Sequence, residues 1–356
     1  MKSPGDEPAL GGDPFTSSDG TIPYLTRLRE RRVRLAASED AENRSETTRQ
    51  SVDLGPPVPE VPPFEDRDES AGWLDSLAGL LLNPDDEERV TALLAEFEGL
   101  PYDSLGLNPR VARRALALFG QLHKYYFRVE SSGHEMLPEK GTAILAANHG
   151  GLLPFDGAMI ITDVALRADP PRLVRAVVDR WAGTLPFINI FFSRVGQVVG
   201  TRDNFRELLS RQQVVLVFPE GMAGARKLAA ERYVLQKFGL GFIEESLRHH
   251  TMIVPVSIIG AEDQAPILYD VKPLARLLGL PVFPITPTFP LLGPLGLLPY
   301  PVKYQITYGE PFRFFEEFSP KALGDPHALR YMADEVKRRV QQMVDAGVAA
   351  RRGQGA

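Results

Sequence analysis

Two residues near the middle of the chain have the types and the spacing needed for proton transfer. His149 follows the apolar run TAILAAN, and Asp156 comes seven positions later, after a Gly-Gly pair and a proline. A histidine that is oriented by a carboxylate acts as a general base and removes a proton from a hydroxyl group. The structural alternative is a hydrogen-bonded core histidine beside an aspartate that only caps a helix. The pair alone leaves both interpretations open.

A second polar segment, VVLVFPEGMAGARK, begins as an apolar strand and ends in a turn rich in small residues. Glu220 and Gly221 lie in this turn, and Arg226 and Lys227 follow it. Backbone amides in a glycine-containing turn, together with two cations, suit a phosphate group. The alternative is a surface turn with solvated charges. A glutamate after a proline at the end of a buried strand argues against that alternative.

Composition excludes several other kinds of chemistry. The chain of 356 residues has no cysteine, so disulfides, thiolate metal sites and a cysteine nucleophile are excluded. The formal net charge of −6 gives no indication of a nucleic-acid partner. The six histidines lack the spacing of metal ligands, and His249 and His250 are adjacent at a predicted helix end, so no metal is expected.

The composition changes twice along the chain. Residues 1–68 are rich in proline, glycine, serine and charge, which predicts a disordered linker, and the N-terminus lacks the apolar core of a signal peptide. Residues 69–127 carry leucine and phenylalanine at helical spacing, which predicts an N-terminal helical region. Residues 128–350 alternate apolar strands with amphipathic helices. This alternation predicts an α/β fold with a mixed, mostly parallel sheet flanked by helices. His149 would then lie at the carboxyl edge of that sheet, where such folds place their sites.

One segment, 277–302, interrupts the alternation because it has no charged residue. Its length would suit a transmembrane span, but seven prolines would each interrupt a helix, so no clear transmembrane helix is predicted. Two interpretations remain: a buried loop, or a surface that contacts lipid or lines an acyl-chain groove. The helices of 73–127 are also candidates for a membrane interface, since they carry Arg113, Arg114, Lys124, Tyr125 and Tyr126.

Four motifs, in order along the chain, resemble those of the glycerolipid acyltransferase superfamily, the family of 1-acyl-glycerol-3-phosphate acyltransferases. They are NHGGLLPFD, GQVVGTR from Gly196 to Arg202, FPEG, and IVPVSIIG centred on Pro255. The resemblance covers roughly residues 123–315. Six residues separate His149 from Asp156 instead of the family's usual four, and MAGARK replaces the usual Thr-Arg-Ser after FPEG. The spacing of His149 and Asp156 with LPFDG, and the run RYVLQKFGLGFIE, resemble a divergent bacterial branch of the superfamily.

The resemblance implies an O-acyltransferase that moves a fatty acyl group from acyl-CoA, or acyl carrier protein, to a glycerolipid hydroxyl. Lysophosphatidate or a lysophospholipid is the implied acceptor. His149 would remove the hydroxyl proton and Asp156 would hold the imidazole tautomer, with no covalent acyl-enzyme. Backbone amides near Gly150 or Gly221 would stabilise the oxyanion. The implied substrate-binding residues are Glu220 and Gly221 for positioning, and Arg202, Arg226 and Lys227 for the phosphate.

Two alternatives stay open at this point. The acceptor is neutral in the first, either diacylglycerol or a fatty alcohol. In the second, the chain is a catalytically silent lipid-binding protein of the same fold, which the unusual spacing between His149 and Asp156 would explain. The lipid substrate, rather than any membrane-spanning segment, implies a membrane surface as a partner. We therefore expect a peripheral protein on the cytoplasmic face of a membrane, with no cofactor besides its acyl-donor co-substrate.

Overall fold

The computed structural model describes residues 72–354 except 98, 152, 181, 182, 184–186, 279 and 281. The linker predicted for residues 1–68 lies outside the described residues. Within the described part, the chain forms an α/β fold whose sheet is mostly parallel and is flanked by helices, with helices preceding the sheet. The predicted fold class is therefore confirmed.

Three helices come first: α1 (Gly72–Leu81), α2 (Pro84–Leu94) and α3 (Pro109–Gln121), and α3 continues into a π-helical turn, Leu122–Tyr126. Asn83 and Asn108 cap α2 and α3, since each side chain accepts a hydrogen bond from a backbone N–H three residues later. A proline follows each cap, at a position where its missing N–H costs nothing. The two Asn-Pro pairs thus fix where these helices begin.

The main sheet has seven strands in the order β1-β9-β6-β2-β5-β3-β4. Their bounds are β1 Glu130–Ser132, β2 Ala143–Ala147, β3 Val174–Val178, β4 Val198–Val199, β5 Val214–Val217, β6 Met252–Ile259 and β9 Gln305–Tyr308. All neighbours are parallel except β6 and β9. The central strands β2, β5 and β6 therefore end at one edge. Two further strands, β7 Tyr269–Asp270 and β8 Pro284–Ile285, pair with each other.

Helices cover both faces of the sheet. The remaining helices are α4 Phe155–Arg167, α5 Ile188–Arg194, α6 Arg202–Ser210, α7 Met222–Ala225, α8 Gly241–Arg248, α9 Lys272–Leu278, α10 Phe314–Glu317 and α11 Pro326–Gln354. Apolar residues of α6, α8 and α11 pack on one face of the sheet. Residues of α4 pack on the other face, and α1–α3 pack against the far side of α4. Thr201 caps α6, since its side chain accepts a hydrogen bond from the Asn204 N–H at 3.1 Å.

A buried carboxylate joins distant parts of the chain. Asp163, on α4, is fully buried and accepts hydrogen bonds from His123 and His134, each at 2.9 Å, from Ser131 at 2.7 Å and from Tyr308 at 2.8 Å. Burial raises the pKa of Asp163, but these hydrogen bonds outweigh it and hold the pKa well below its ordinary value. The cluster links the end of the helical region to both β1 and β9.

The uncharged segment 277–302 is not a plain loop. It includes the end of α9, the strand β8 and a 3-10 turn, Gly293–Leu297. Val282 is buried, whereas six leucines are more than half exposed: Leu277, Leu278, Leu291, Leu292, Leu295 and Leu298. The segment thus has a buried part and an exposed apolar part, and its contact with lipid stays a prediction. No helix in the described part of the chain is long and apolar enough to cross a membrane.

Candidate active site

The site begins where β2 ends. Asn148, fully buried, donates from Nδ2 to the carbonyl of Ile258 at 2.9 Å and accepts from the Ile258 N–H at 2.8 Å. These two bonds extend the pairing of β2 with β6 beyond the last strand residue. The backbone at His149 is therefore held against the sheet. Sequence reasoning did not single out Asn148, although a buried amide directly before the histidine is a readable signal.

The structure brings His149 and Asp156 into direct contact. The ring Nδ1 lies 2.5 Å from Asp156 Oδ2, and the Gly150 N–H donates to the same oxygen at 3.0 Å. Asp156 Oδ1 accepts from the Gly157 N–H at 2.7 Å, so both oxygens are held at the first turn of α4. An ionised carboxylate only accepts, so the Nδ1 proton must lie on the ring. The lone pair is then on Nε2, which has no hydrogen-bond partner among the described residues.

Burial and charge act in opposite directions on the histidine. Asp156 is completely buried, whereas the His149 side chain is 16% exposed and its ring stacks on Phe218 at a centroid distance of 4.3 Å. Burial lowers the pKa of His149, but the charge and hydrogen bond of Asp156, aided by the charge of Glu220, raise it above its ordinary value. The ring is therefore a stronger base than a free imidazole, and it remains accessible.

A buried ion cluster supports the histidine from behind. Glu220 accepts from the His149 N–H at 2.9 Å and, with its other oxygen, from the Gln236 N–H at 2.7 Å. Lys227 lies between two carboxylates, 2.6 Å from Glu262 and 3.4 Å from Glu220. Its charge is already balanced and its side chain is 3% exposed. The structure thus places Lys227 in a buried ion cluster, and its contact with a substrate phosphate stays a prediction.

Glu262, the third member of this cluster, was not predicted. It follows β6, whose carboxyl end lies beside those of β2 and β5. Burial raises its pKa, an effect that the charge of Lys227 only partly opposes. The signal in the sequence was a pair of acidic residues that follows the apolar run MIVPVSIIG after one alanine.

Two glycines are required by close packing around the histidine. A Cβ built on Gly150 would lie 2.4 Å from Glu262 Cγ. One built on Gly224 would lie 2.9 Å from His149 Cβ and 2.8 Å from Glu220 Cβ. Any side chain at Gly224 must therefore displace the histidine or the glutamate. The small residues after FPEG thus have a packing reason that their sequence alone did not reveal.

The two predicted oxyanion donors already have other acceptors. The Gly150 N–H donates to Asp156, and the Gly221 N–H donates to the carbonyl of Phe218 at 2.9 Å. Neither amide is therefore available as predicted without losing its present hydrogen bond. Gly221 itself is exposed and has a φ of 56°, a backbone conformation that favours glycine.

The two predicted arginines lie outside the buried cluster. Arg202, the first residue of α6, is paired with Glu244 at 3.2 Å and its side chain is 66% exposed. Arg226 is exposed, and its Nε donates to the Met222 carbonyl at 3.2 Å. The structure thus joins His149, Asp156, Glu220 and Lys227, while Arg202 and Arg226 remain surface residues. Their predicted contacts with substrate stay predictions.

Comparison with known proteins indicates the class of protein to which the chain belongs. Residues 128–259 match the family model described as Acyltransferase. An uncharacterized protein of Mycobacterium tuberculosis is 41% identical over 257 residues, which cover 70% of each chain. An uncharacterized protein of Mycobacterium leprae is 38% identical over 252 residues, covering 70% of this chain and 68% of the relative. The matched range contains every residue predicted for the site, from His149 to Lys227.

One solved structure is also similar. It is the 1-acyl-sn-glycerophosphate acyltransferase PlsC from Thermotoga maritima, at 17% identity and a TM-score of 0.45, covering 79% of this chain and 89% of that chain. This overlap is too low for residues to be transferred between the two structures. The family match over residues 128–259 and the relatives show that the chain belongs to the acyltransferase family. The resemblance read from the four motifs is confirmed at this level.

Proposed function

We propose that the protein transfers a fatty acyl group from acyl-CoA, or acyl carrier protein, to a hydroxyl of a glycerolipid, lysophosphatidate or a lysophospholipid. The observation that carries this proposal is the 2.5 Å hydrogen bond between His149 Nδ1 and Asp156, which leaves Nε2 as a base. We assign the reaction to an acyltransferase domain, residues 128–350, preceded by the helical region 69–127.

The reaction needs one base and no covalent intermediate. His149 Nε2 removes the proton of the acceptor hydroxyl while the oxygen attacks the thioester carbonyl. Asp156 keeps the proton of Nδ1 in place and stabilises the imidazolium that forms. The tetrahedral intermediate then breaks its carbon–sulfur bond. The imidazolium returns its proton to the departing thiolate, so that an ester and a thiol leave and the enzyme is unchanged.

The acceptor is a lipid, and we propose that segment 277–302 brings the protein to the cytoplasmic surface of a membrane. Leu291 and Leu295 are 85% and 69% exposed, a large apolar surface for one segment. The segment is linked to the site, because the Tyr300 N–H donates to the Gln264 carbonyl at 2.7 Å and Gln264 packs against Gly151. A lipid entering beside the leucines would thus arrive near the histidine.

A neutral acceptor, diacylglycerol or a fatty alcohol, is the second candidate. Two of the three cations predicted for phosphate are already paired, Lys227 with two buried carboxylates and Arg202 with Glu244. An acceptor without a phosphate would need neither of them. The two candidates share the same base and the same donor and differ only in what holds the acceptor.

An acylation assay tests both candidates together. Purified protein is given labelled palmitoyl-CoA with lysophosphatidate, lysophosphatidylcholine, diacylglycerol or hexadecanol in mixed micelles, and product esters are separated. Ester formation on a lysophospholipid, absent in His149→Ala, supports the first candidate. Ester on diacylglycerol or hexadecanol alone supports the second. If folded wild-type protein forms no ester with any acceptor, from either acyl-CoA or acyl carrier protein as the donor, both candidates are contradicted. The catalytically silent lipid-binding interpretation would then remain.

A further inference from the structure

An arginine-lined cleft lies beside the proposed site but is not part of it. A cavity of about 410 Å³ lies between the turn that follows α7, the end of β6 and the last turns of α11. Its charged lining residues are Arg232, Asp263, Arg351 and Arg352. Ile259 and Val348 supply apolar walls. Arg351 and Arg352 come from α11, outside the range that matches the family model.

The charges in the cleft do not balance. Asp263 accepts from Arg232 Nη1 at 2.6 Å and lies 3.4 Å from Arg351 Nη1. Its second oxygen also accepts from the Tyr233 hydroxyl at 2.7 Å. One carboxylate thus serves two arginines, and Arg352 has no ion pair among the described residues. A surplus of two positive charges in a concave site favours a bound anion.

The cleft is connected to the histidine by a short series of contacts. Tyr233 donates its N–H to Glu262 at 2.7 Å and its hydroxyl to Asp263, so one residue contacts both acidic neighbours. Glu262 in turn holds Lys227, which contacts Glu220 behind His149. A second, smaller cavity shares Ala229 and Arg232 with the cleft and is also lined by Gly151. The residues that the two cavities share thus connect the cleft to Gly151, two residues after His149.

We infer that this cleft is a phosphate subsite, in which Arg232, Arg351 and Arg352 hold a phosphate group of a substrate whose reacting end lies at His149. Guanidinium groups match phosphate oxygens with paired hydrogen bonds, and three of them around one cavity suit a phosphate better than a carboxylate. The phosphate has two possible sources, the nucleotide end of acyl-CoA or the head group of the acceptor. The inference rests on the proposed function.

The test is the double variant Arg351→Ala, Arg352→Ala. The matched control is Arg338→Ala, Arg339→Ala, which removes two exposed charges from the same helix outside the cleft. Titration calorimetry with CoA and with dephospho-CoA reports the donor phosphate. Titration with lysophosphatidate and with monoacylglycerol in the same micelles reports the acceptor phosphate. All titrations are repeated in the His149→Ala background, where binding is measured without turnover.

Loss of two charge-assisted contacts should weaken binding of the phosphate-bearing ligand by about 10- to 100-fold, with the control unchanged. Weakening confined to CoA identifies the donor, and weakening confined to lysophosphatidate identifies the acceptor. The matching Michaelis constant should rise while kcat stays near the wild-type value. If the wild type and the double variant bind each of the four ligands with the same affinity, the proposed phosphate subsite is wrong. Binding that depends on the arginines in a protein without acyl transfer would instead contradict the proposed function alone.

Discussion

The chemistry that we propose for this protein depends on one imidazole and the groups that hold it. His149 is fixed through its backbone by Glu220 and through its ring by Asp156, and its ring face is covered by Phe218. Such preorganisation leaves a single reactive atom, Nε2, at the surface of the site. Substitutions of the individual groups should therefore have separable effects on rate, pH dependence and geometry.

Replacement of the base should remove most of the activity. His149→Ala is expected to lower kcat by roughly 10² to 10⁴-fold or more, since no other group takes the hydroxyl proton. The measurement is ester formation from labelled acyl-CoA, with circular dichroism and a melting curve to verify the fold. A folded variant with near wild-type turnover would contradict the mechanism.

Asp156→Asn should change the pH profile as well as the rate. The base must be unprotonated, so kcat/KM should rise with pH through the raised pKa of His149 in the wild type. Removing the carboxylate charge lowers that pKa, so this limb should move to lower pH while the plateau falls, because an amide favours the wrong tautomer. Profiles between pH 5 and 9 measure both effects. If the pH profile of kcat/KM in Asp156→Asn has the same midpoint and the same plateau as the wild type, Asp156 has only a structural role.

Gly224→Ala should impair catalysis through packing alone. The added methyl group would lie 2.9 Å from His149 Cβ, so the histidine must move or the backbone must shift, at about 1–3 kcal/mol. We expect a lower kcat in a folded protein. Gly241→Ala is the matched control, since a Cβ there would contact nothing within 4 Å. Equal activities of the two variants would show that the site tolerates the displacement.

For individual residues, the sequence predicts a contact when the two residues lie close together along the chain. His149 and Asp156 are seven positions apart on either side of one turn, so their contact could be anticipated. The contact of Lys227 with Glu262 joins residues 35 positions apart through three adjacent strand ends. Pairing of that kind depends on the strand order, which no local pattern contains. The ion pairs of Lys227 could therefore not be anticipated from the sequence.

Among the elements, segment 277–302 has the clearest testable property. Leu291→Asp with Leu295→Asp places charges at two exposed positions and should reduce co-sedimentation with anionic vesicles, because a charge in hydrocarbon costs several kcal/mol. The melting temperature should stay near the wild-type value, since neither leucine is buried. Ser210→Asp with Gln342→Asp is the control at two exposed polar positions. Unchanged sedimentation of the leucine variant would contradict membrane contact.

Longer elements were predictable and shorter ones were not. The apolar runs at β2, β5 and β6, and the caps of α2, α3 and α6, follow from composition and known end signals. The strands β4 and β8 have two residues each, too few to give a periodic pattern. They exist because neighbouring backbone completes their hydrogen bonds, which is tertiary information. The mixture of buried and exposed residues in 277–302 has the same origin.

For the whole molecule, stability should depend strongly on Asp163. Asp163→Asn leaves four donors, two of them buried, with a weaker acceptor and should lower the free energy of unfolding by about 3–5 kcal/mol. Because its pKa is depressed in the folded state, its contribution is complete above its ordinary value of 3.8 and is lost as the pH falls below it. Urea unfolding at pH 7 and at pH 2 measures both, with the exposed Asp169→Asn as control. An unchanged midpoint at pH 7 would contradict this role.

The strand order also has a consequence for synthesis on the ribosome. The neighbour of β1 is β9, and about 170 residues separate them. At the ordinary speed of translation, β1 emerges roughly 10 to 30 s before the strand that it pairs with. During this interval the side of β6 that later receives β9 is also unpaired, and α11, which covers the sheet, has not been made. A nascent chain that has just exposed residue 259 therefore carries an open, apolar sheet edge. We expect it to need a holding chaperone until its last hundred residues are translated.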